Sequence, residues 1–335
     1  MHTISNSVVK KDHAPKMEGR SVYVCDIDKA FAEADKVYTE EFETGYQDQT
    51  YLETQGMMAE PEEGGRMFVH GSMQCAYYVH GAVMRALNCG PADVHVHQDV
   101  TGGGFGAPQA FFAVEMMMDH IAKDLGVDTL EFKEAHLVKQ GDATSTSGKY
   151  HFPVPLPAMV DEVDKACDLR RKHKEYAKPQ TGRYRRGIGF SMHFHGAGFT
   201  GSGERDLIKA VARLHKYKDG TVEILASNGE IGQGLRTTFP KIVAHELNLP
   251  LEKVFYDHPD TSRVPDSGPT VASRSLMTVG ELLRRAAIKL RTEWKDGEDQ
   301  IVEEKFVEPD FMIPFYLDKF RGDAYPTYAW GAQAI

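Results

Sequence analysis

Apolar residues recur along this chain with two different periods, and the change from one to the other predicts most of its elements. Residues 74–87 are apolar enough, at helical spacing, for a helix that ends near Asn88 and Gly90. Residues 94–100, Val-His-Val-His-Gln-Asp-Val, alternate as a half-buried strand does. A turn at Gly64-Gly65 leads into a strand over 66–69, and residues 29–37 and 37–42 read as a helix and the start of a strand. Pro108 opens a helix that runs to Leu125, with Gly126 as its stop. Residues 140–157 form a loop, 158–176 a helix, and 178–186 a basic connector.

The second half is patterned more sharply. Strands over 212–217 and 221–227 flank Asp219-Gly220, a hairpin turn. A helix over 238–247 keeps Pro240 in its first turn, where the missing N–H does no harm. Residues 254–258 are strand-like, and 272–294 carry Leu276, Val279, Leu283, Ala286 and Leu290 as the stripe of a long amphipathic helix. His193 and His195 share one face of a further strand and read as structural, since no carboxylate motif accompanies them. Helices and strands mix without strict βαβ alternation, so the expected fold class is α+β, with mixed sheets and packed helices. The expected organisation is a tail over 1–20, a first subdomain over 21–180 and a second over 181–335.

Composition narrows the function classes. The 335 residues are 41% hydrophobic and 26% charged, which suits a globular chain with a core that needs no disulfides. The four cysteines, Cys25, Cys75, Cys89 and Cys167, form no C-x-x-C pair and read as reduced thiols. The polar N-terminus has no apolar signal region and no stretch is long and apolar enough to span a membrane, so a cytoplasmic location is expected. A formal charge of −10 gives no electrostatic reason to bind nucleic acid or anionic lipid. The 15 histidines show no metal-ligand spacing, so no protein-held metal is expected.

Three segments carry candidate chemistry. Residues 102–109, Gly-Gly-Gly-Phe-Gly-Ala-Pro-Gln, lie between a strand and a helix. Gly102, Gly104 and Ala107 satisfy G-x-G-x-x-A, and such a turn either cradles a phosphate at a helix N-terminus or is simply tight. The strand that a dinucleotide fold requires next is poorly placed. In residues 229–235, Gly-Glu-Ile-Gly-Gln-Gly-Leu, Gly232 and Gly234 flank Gln233. That amide both donates and accepts, which suits a flat nitrogen heterocycle, although a plain strand-to-helix connector has the same pattern. Residues 264–275 run from a proline-stiffened loop into a helix start, where Ser273 and Ser275 offer hydroxyls to an anion or cap the helix.

Taken in order, these segments resemble the molybdopterin-binding subunit of the xanthine dehydrogenase and aldehyde oxidase family, with its GGGFG, E-x-G-Q-G and P-T-x-A-S stretches. Tyr51-Leu-Glu-Thr54, Gly71-Ser-Met-Gln-Cys75, Gly198-Phe-Thr-Gly-Ser-Gly203 and Tyr325-Pro-Thr-Tyr-Ala-Trp-Gly-Ala-Gln333 agree with it. The resemblance implies molybdopterin as cofactor, with Gly104, Phe105 and Gly106 beside the molybdenum. Gly232, Gln233 and Gly234 would hold the pterin side, and Ala272, Ser273 and Ser275 its pyrophosphate or dithiolene surroundings. Gln74 is a candidate for hydrogen bonding a molybdenum oxygen, or is an ordinary core or surface glutamine. Phe199 either lines the substrate pocket or is a core residue.

The implied reaction is hydroxylation of a carbon next to a heteroatom, in an N-heterocycle or an aldehyde, with water as oxygen source and a glutamate as base. The implied partners carry iron–sulfur clusters and FAD, or the remaining parts of the molybdenum subunit. Three departures accompany the resemblance. The G-E motif of the family's glutamate is not found, and neither Glu204 nor Glu230 replaces it by motif, so the catalytic residue is unknown. The chain begins without the preceding domain and ends soon after a mid-subunit segment. Residues 102–115 join the front of the family's first Gly-Phe-Gly loop to the sequence that follows the second, with Gly103 where an arginine is expected. The chain is therefore expected to be truncated and internally shortened. Two alternatives stay open: a non-catalytic remnant or assembly module of the same fold, and an NAD-dependent dehydrogenase built on residues 102–107.

Overall fold

The computed structural model describes residues 34–43, 56–62, 64–103, 108–198 and 201–335. The residues divide into two compact units, each drawn from separated stretches. One contains residues up to 48 together with 106–196 and 311–335; the other contains 49–105 and 197–310. The expected mixture of helices with small sheets is what the chain forms.

The unit that carries 197–310 contains two sheets. The smaller has the order β1 (Met57–Pro61), β2 (Met67–Gly71), β3 (Val94–Gln98). β1 runs antiparallel to β2, while β2 and β3 are parallel and joined by helix α1 (Ala76–Leu87). The alternation in 94–98 has its expected result: Val94 and Val96 turn inward with Val69, Met73 and Ala76 to form a small core beneath α1. His95 and His97 turn the other way, on either side of the Asp260 carboxylate, at 2.7 and 3.4 Å.

The larger sheet has the order β7-β6-β5-β8. Its strands are β5 (Val211–Lys216), β6 (Val222–Leu225), β7 (Val254–Tyr256) and β8 (Gln300–Lys305). The hairpin between β5 and β6 forms as its turn residues dictate. Gly220 takes φ +79°, and Asp219 Oδ1 accepts from the N–H and hydroxyl of Thr221. Helices α6 (Leu235–Leu247) and α7 (Gly280–Thr292) cover the sheet with Phe239, Val243, Leu283, Ala286 and Leu290, all buried. Lys216 is also fully buried. Its ammonium donates to the carbonyls of Lys295 and Glu298 and sits 4.7 Å from the Trp294 ring centroid, so the buried charge is not left without acceptors.

The other unit holds helices α2 (Pro108–Leu125), α3 (Thr129–Ala135), α4 (Leu156–Cys167) and α5 (Leu169–Tyr176). Strands β4 (Phe190–Ala197) and β9 (Thr327–Ala334) pair beside them. Lys133 is buried against Glu115 (2.7 Å) and Asp119 (2.9 Å), and the fully buried Asp323 accepts from His151 Nε2 at 2.6 Å and from the N–H groups of Lys149 and Ile313. Among the described residues Cys75, Cys89 and Cys167 are free thiols, and no helix is long and apolar enough to cross a membrane.

Four details of the elements differ from the sequence reading. The helix expected over 158–176 is broken at Asp168, which adopts φ +61°. The helix expected from 238 starts at Leu235, so Pro240 lies inside it and is buried rather than in the first turn. Residues 272 and 273 are not helical: both take positive φ, a π-helical turn spans Ser275–Val279, and α7 starts only at Gly280. The described part of 29–42 contains neither helix nor strand.

Candidate functional site

Gln74, the glycine loop after β6 and the P-T-V-A-S segment before α7 are far apart in sequence but meet in one unit, around Thr270. The Gln74 Nε2 donates to the Thr270 carbonyl at 3.0 Å, and Thr270 N–H returns a bond to the Gln74 carbonyl at 3.1 Å. The Thr270 hydroxyl accepts from Gly229 N–H at 2.9 Å and lies 3.3 Å from the Ser275 hydroxyl. An isolated bridge between Cys75 and Asn228 closes the group. Burial in this cluster pushes the Cys75 thiol up to about 11, so it is a packing group rather than a thiolate.

The loop after β6 is organised by its own side chains. Gln233 is exposed, yet its Oε1 accepts from Ile231 N–H at 2.6 Å and its Nε2 donates to the Gly229 carbonyl at 2.9 Å. Glu230 Oε1 accepts from Gly232 and Gly234 N–H at 2.8 and 2.9 Å, and Oε2 from Arg236 N–H at 3.0 Å. Partial burial pushes this carboxyl up, but the three N–H donors outweigh it and hold the group below its usual range. Gly232 and Gly234 have φ of +100° and +82°, and a Cβ on either would meet nothing within 4 Å, so both are required by conformation and leave open space above the loop.

Glu230 therefore acts as the cap of α6, whose first N–H groups have no partner within the helix. Glu230→Ala should cost about 1 kcal/mol in equilibrium unfolding. The sign with pH follows from the depressed folded value. The contribution is complete above the unfolded pKa, about 4.3, and is lost as pH falls through the lower folded value. A stability difference between wild type and Glu230→Ala that persists unchanged at pH 2 would contradict this assignment.

Ala272 and Ser273 adopt φ +47° and +59° in succession. Left-handed backbone costs a non-glycine residue roughly 1–2 kcal/mol, because Cβ crowds the following carbonyl. The neighbouring bonds hold this strain. Gly198 N–H donates to the Ala272 carbonyl at 2.7 Å, and Arg274 N–H to the Val271 carbonyl at 2.8 Å. Ser273 is exposed and Ser275 is buried, its hydroxyl turned to Thr270.

Beneath this segment lies an ion pair that the sequence reading did not find. Arg274 is fully buried; its Nε and Nη2 reach Glu204 Oε2 and Oε1 at 2.5 and 2.9 Å, and Nη1 donates to the Pro269 carbonyl at 3.2 Å. Glu204 also accepts from Ala210 N–H at 3.1 Å. Removing one partner of such a pair costs about 3–5 kcal/mol, comparable with the combined strain of roughly 2–4 kcal/mol at Ala272 and Ser273. Glu204 and Glu230 are thus both committed to internal bonds, in keeping with their not being read as replacements for the family's base.

Gln98 belongs to no chemical motif, and Thr270, although part of the P-T-V-A-S stretch, is not singled out by its sequence as the centre of the cluster. The Gln98 Nε2 donates to the Met73 carbonyl at 2.5 Å, and a Cβ at Gly229 would lie 1.9 Å from that nitrogen. Gln98 Oε1 and Asn228 Oδ1 are buried acceptors that find no donor among the described residues. Unpaired acceptors beside an open glycine loop fit a ligand edged with N–H donors, as a pterin is. No three His, Cys, Asp or Glu groups converge on a metal position among the described residues. The residues present thus fit a group held by hydrogen bonds. Gly104, Phe105, Gly106 and Phe199 lie outside the described residues.

The dinucleotide alternative lacks the architecture it needs. After β3 and the glycine run, the chain enters α2 and then the helix α3, where that fold requires a second parallel strand.

Comparison with known proteins identifies the family of the chain. Two models described as molybdopterin cofactor-binding domains match the chain, one over residues 162–312 and the other over 10–107 and 104–137. The two stretches of the latter overlap at residues 104–107, where the sequence reading joins the two family loops. The putative xanthine dehydrogenase molybdenum-binding subunit XdhA of Escherichia coli is 32% identical over 189 residues, covering 56% of this chain and 25% of that protein. The aldehyde oxidoreductase of Megalodesulfovibrio gigas is 32% identical over 195 residues, covering 56% of this chain and 20% of that protein. A solved aldehyde oxidoreductase from Desulfovibrio gigas superposes with a TM-score of 0.76 at 16% identity, covering 94% of this chain and 48% of that one. The chain thus spans a quarter or less of these curated relatives and about half of the solved chain. It belongs to the molybdopterin-binding domains of the xanthine dehydrogenase and aldehyde oxidoreductase family of molybdenum hydroxylases.

Proposed function

We propose that this chain provides the cofactor-holding part of a cytoplasmic molybdenum hydroxylase acting on an N-heterocycle or an aldehyde. The observation that carries the reading is the hydrogen-bonded cluster in which Thr270 joins Gln74, Gly229 and Ser275. Gly232, Gln233 and Gly234 would face the pterin, and Ala272, Ser273 and Ser275 its phosphate-bearing end; Gly104, Phe105 and Gly106 would face the metal, and Phe199 the substrate. When bound, the cofactor supplies the two-electron oxidation and the site of water-derived hydroxylation.

This chain's own residues bind and orient. Glu230 fixes the glycine loop, and the Gln74 amide is held against Thr270 rather than free to turn. Glu204 and Glu230 are engaged in internal bonds, so neither is proposed as the general base. Partner chains with iron–sulfur clusters and FAD, and the remaining parts of a molybdenum subunit, would complete the enzyme.

The test is cofactor analysis of the purified chain, alone and co-expressed with such partners. Molybdenum and a fluorescent oxidised pterin should be found together with the chain in at least one assembly. Pterin without turnover in every assembly would favour an assembly module of the same fold. No pterin in any preparation would overturn the reading.

A further inference from the structure

An arginine next to a segment read as facing a phosphate-bearing group invites the role of anion ligand. Arg274 is built for something else. Its guanidinium has no exposure, both arms of its fork close on Glu204, and the remaining nitrogen donates to Pro269. Nothing of its charge points outward.

The bonds of Arg274 instead span the strained turn. Its guanidinium reaches back to the Pro269 carbonyl, and Ala272 and Ser273 between these two residues hold the left-handed conformation. Glu204 anchors the pair to the turn that follows Ser202, where it also receives Ala210 N–H. Gly268 leaves the room required, since a Cβ there would lie 2.5 Å from Arg274 Nη2. Strain that survives next to a binding segment is held by surrounding structure, and here that structure includes a two-residue charge pair beside the backbone bonds of Gly198 and Arg274.

We propose that the Arg274–Glu204 ion pair is a positioning latch, which sets the backbone of residues 269–275 and so turns the exposed Ser273 toward the phosphate-bearing end of the cofactor. The cofactor half of this statement rests on the function proposed above; the backbone half does not. Arg274 is a positioning residue and makes no contact with the ligand itself.

The deciding experiment compares Arg274→Met, the double variant Arg274→Met with Glu204→Leu, and Arg274→Lys in the full chain co-expressed with its partners. A buried ion pair replaced as a pair by apolar residues of similar volume retains stability, whereas a single replacement leaves a buried charge alone. Arg274→Met should therefore lower the thermal midpoint, and the double variant should regain it. Amide hydrogen exchange over 270–277 should nevertheless be about tenfold faster in the double variant than in wild type, and pterin retained after gel filtration about tenfold lower. Arg274→Lys keeps the charge but not the fork, and should shift exchange and pterin the same way if the double variant does not fold. Wild-type exchange in the refolded double variant would overturn the latch. Faster exchange with undiminished pterin would overturn its link to the cofactor. A wild-type chain without pterin would remove the functional reading alone, and the exchange comparison would still decide the latch.

Discussion

Phe239→Ala should destabilise the unit containing the glycine loop by about 3–5 kcal/mol, the usual cost of truncating a fully buried phenylalanine. Phe239 has no exposed surface and sits at the centre of the packing between α6 and the larger sheet. Its ring lies 5.3 Å from that of Tyr256, whose hydroxyl donates to the carbonyls of Ala226 and Asn228. The cavity would therefore open beneath the strand end that leads into Gly229. The denaturant midpoint should fall with an unchanged slope. A loss below about 1 kcal/mol would show that the neighbours collapse into the space and that the loop is not braced from below.

Gly268→Ala is the second large effect, and its cost has two separable parts. The residue has φ +77°, which costs an alanine roughly 1–2 kcal/mol. The new Cβ would also lie 2.4 Å from Ile208 Cγ2 and 2.5 Å from Arg274 Nη2, and crowding of this kind adds about 1–3 kcal/mol. The total is about 2–5 kcal/mol. Because one of the crowding atoms belongs to Arg274, the effect should be smaller in an Arg274→Met background. A double-mutant cycle measured by equilibrium unfolding checks this. Strict additivity would mean that the alanine is accommodated by movement of the 266–270 backbone instead.

Elements with their own start and stop signals were legible in the sequence. The helix ending at Asn88, the Pro108–Leu125 helix and the hairpin at Asp219-Gly220 all formed where the local pattern put them. The strands β1, β8 and β9 were not read. β1 is exposed along its whole length, and β8 and β9 are largely half-exposed, so their sequences show little of the alternation that burial on one face imposes. The rule that proline belongs in a first turn misplaces Pro240, because α6 starts three residues earlier than the apolar pattern suggests.

The candidate site divides the same way. Gly232, Gly234 and the P-T-V-A-S segment are legible because glycines and small residues are distinctive one at a time. The joining role of Thr270 within that segment is not, because its bond partners lie 196 residues away at Gln74 and 41 away at Gly229. Arg274 and Glu204, 70 residues apart, look like two ordinary surface charges until the fold buries them together. Such pairings are set by tertiary contact, which no local period encodes.

The carboxylate of Glu230 gives the glycine loop a chemical preference. A helix N-terminus ordinarily attracts anions, through its free N–H groups and the helix dipole. At α6 a resident negative charge already takes up the N–H groups of Gly232, Gly234 and Arg236. An incoming phosphate would meet like charge there, while an uncharged ring edge would not. For the cofactor proposed above, the loop would thereby favour a neutral face, and an anionic end of the same molecule would be steered away from it.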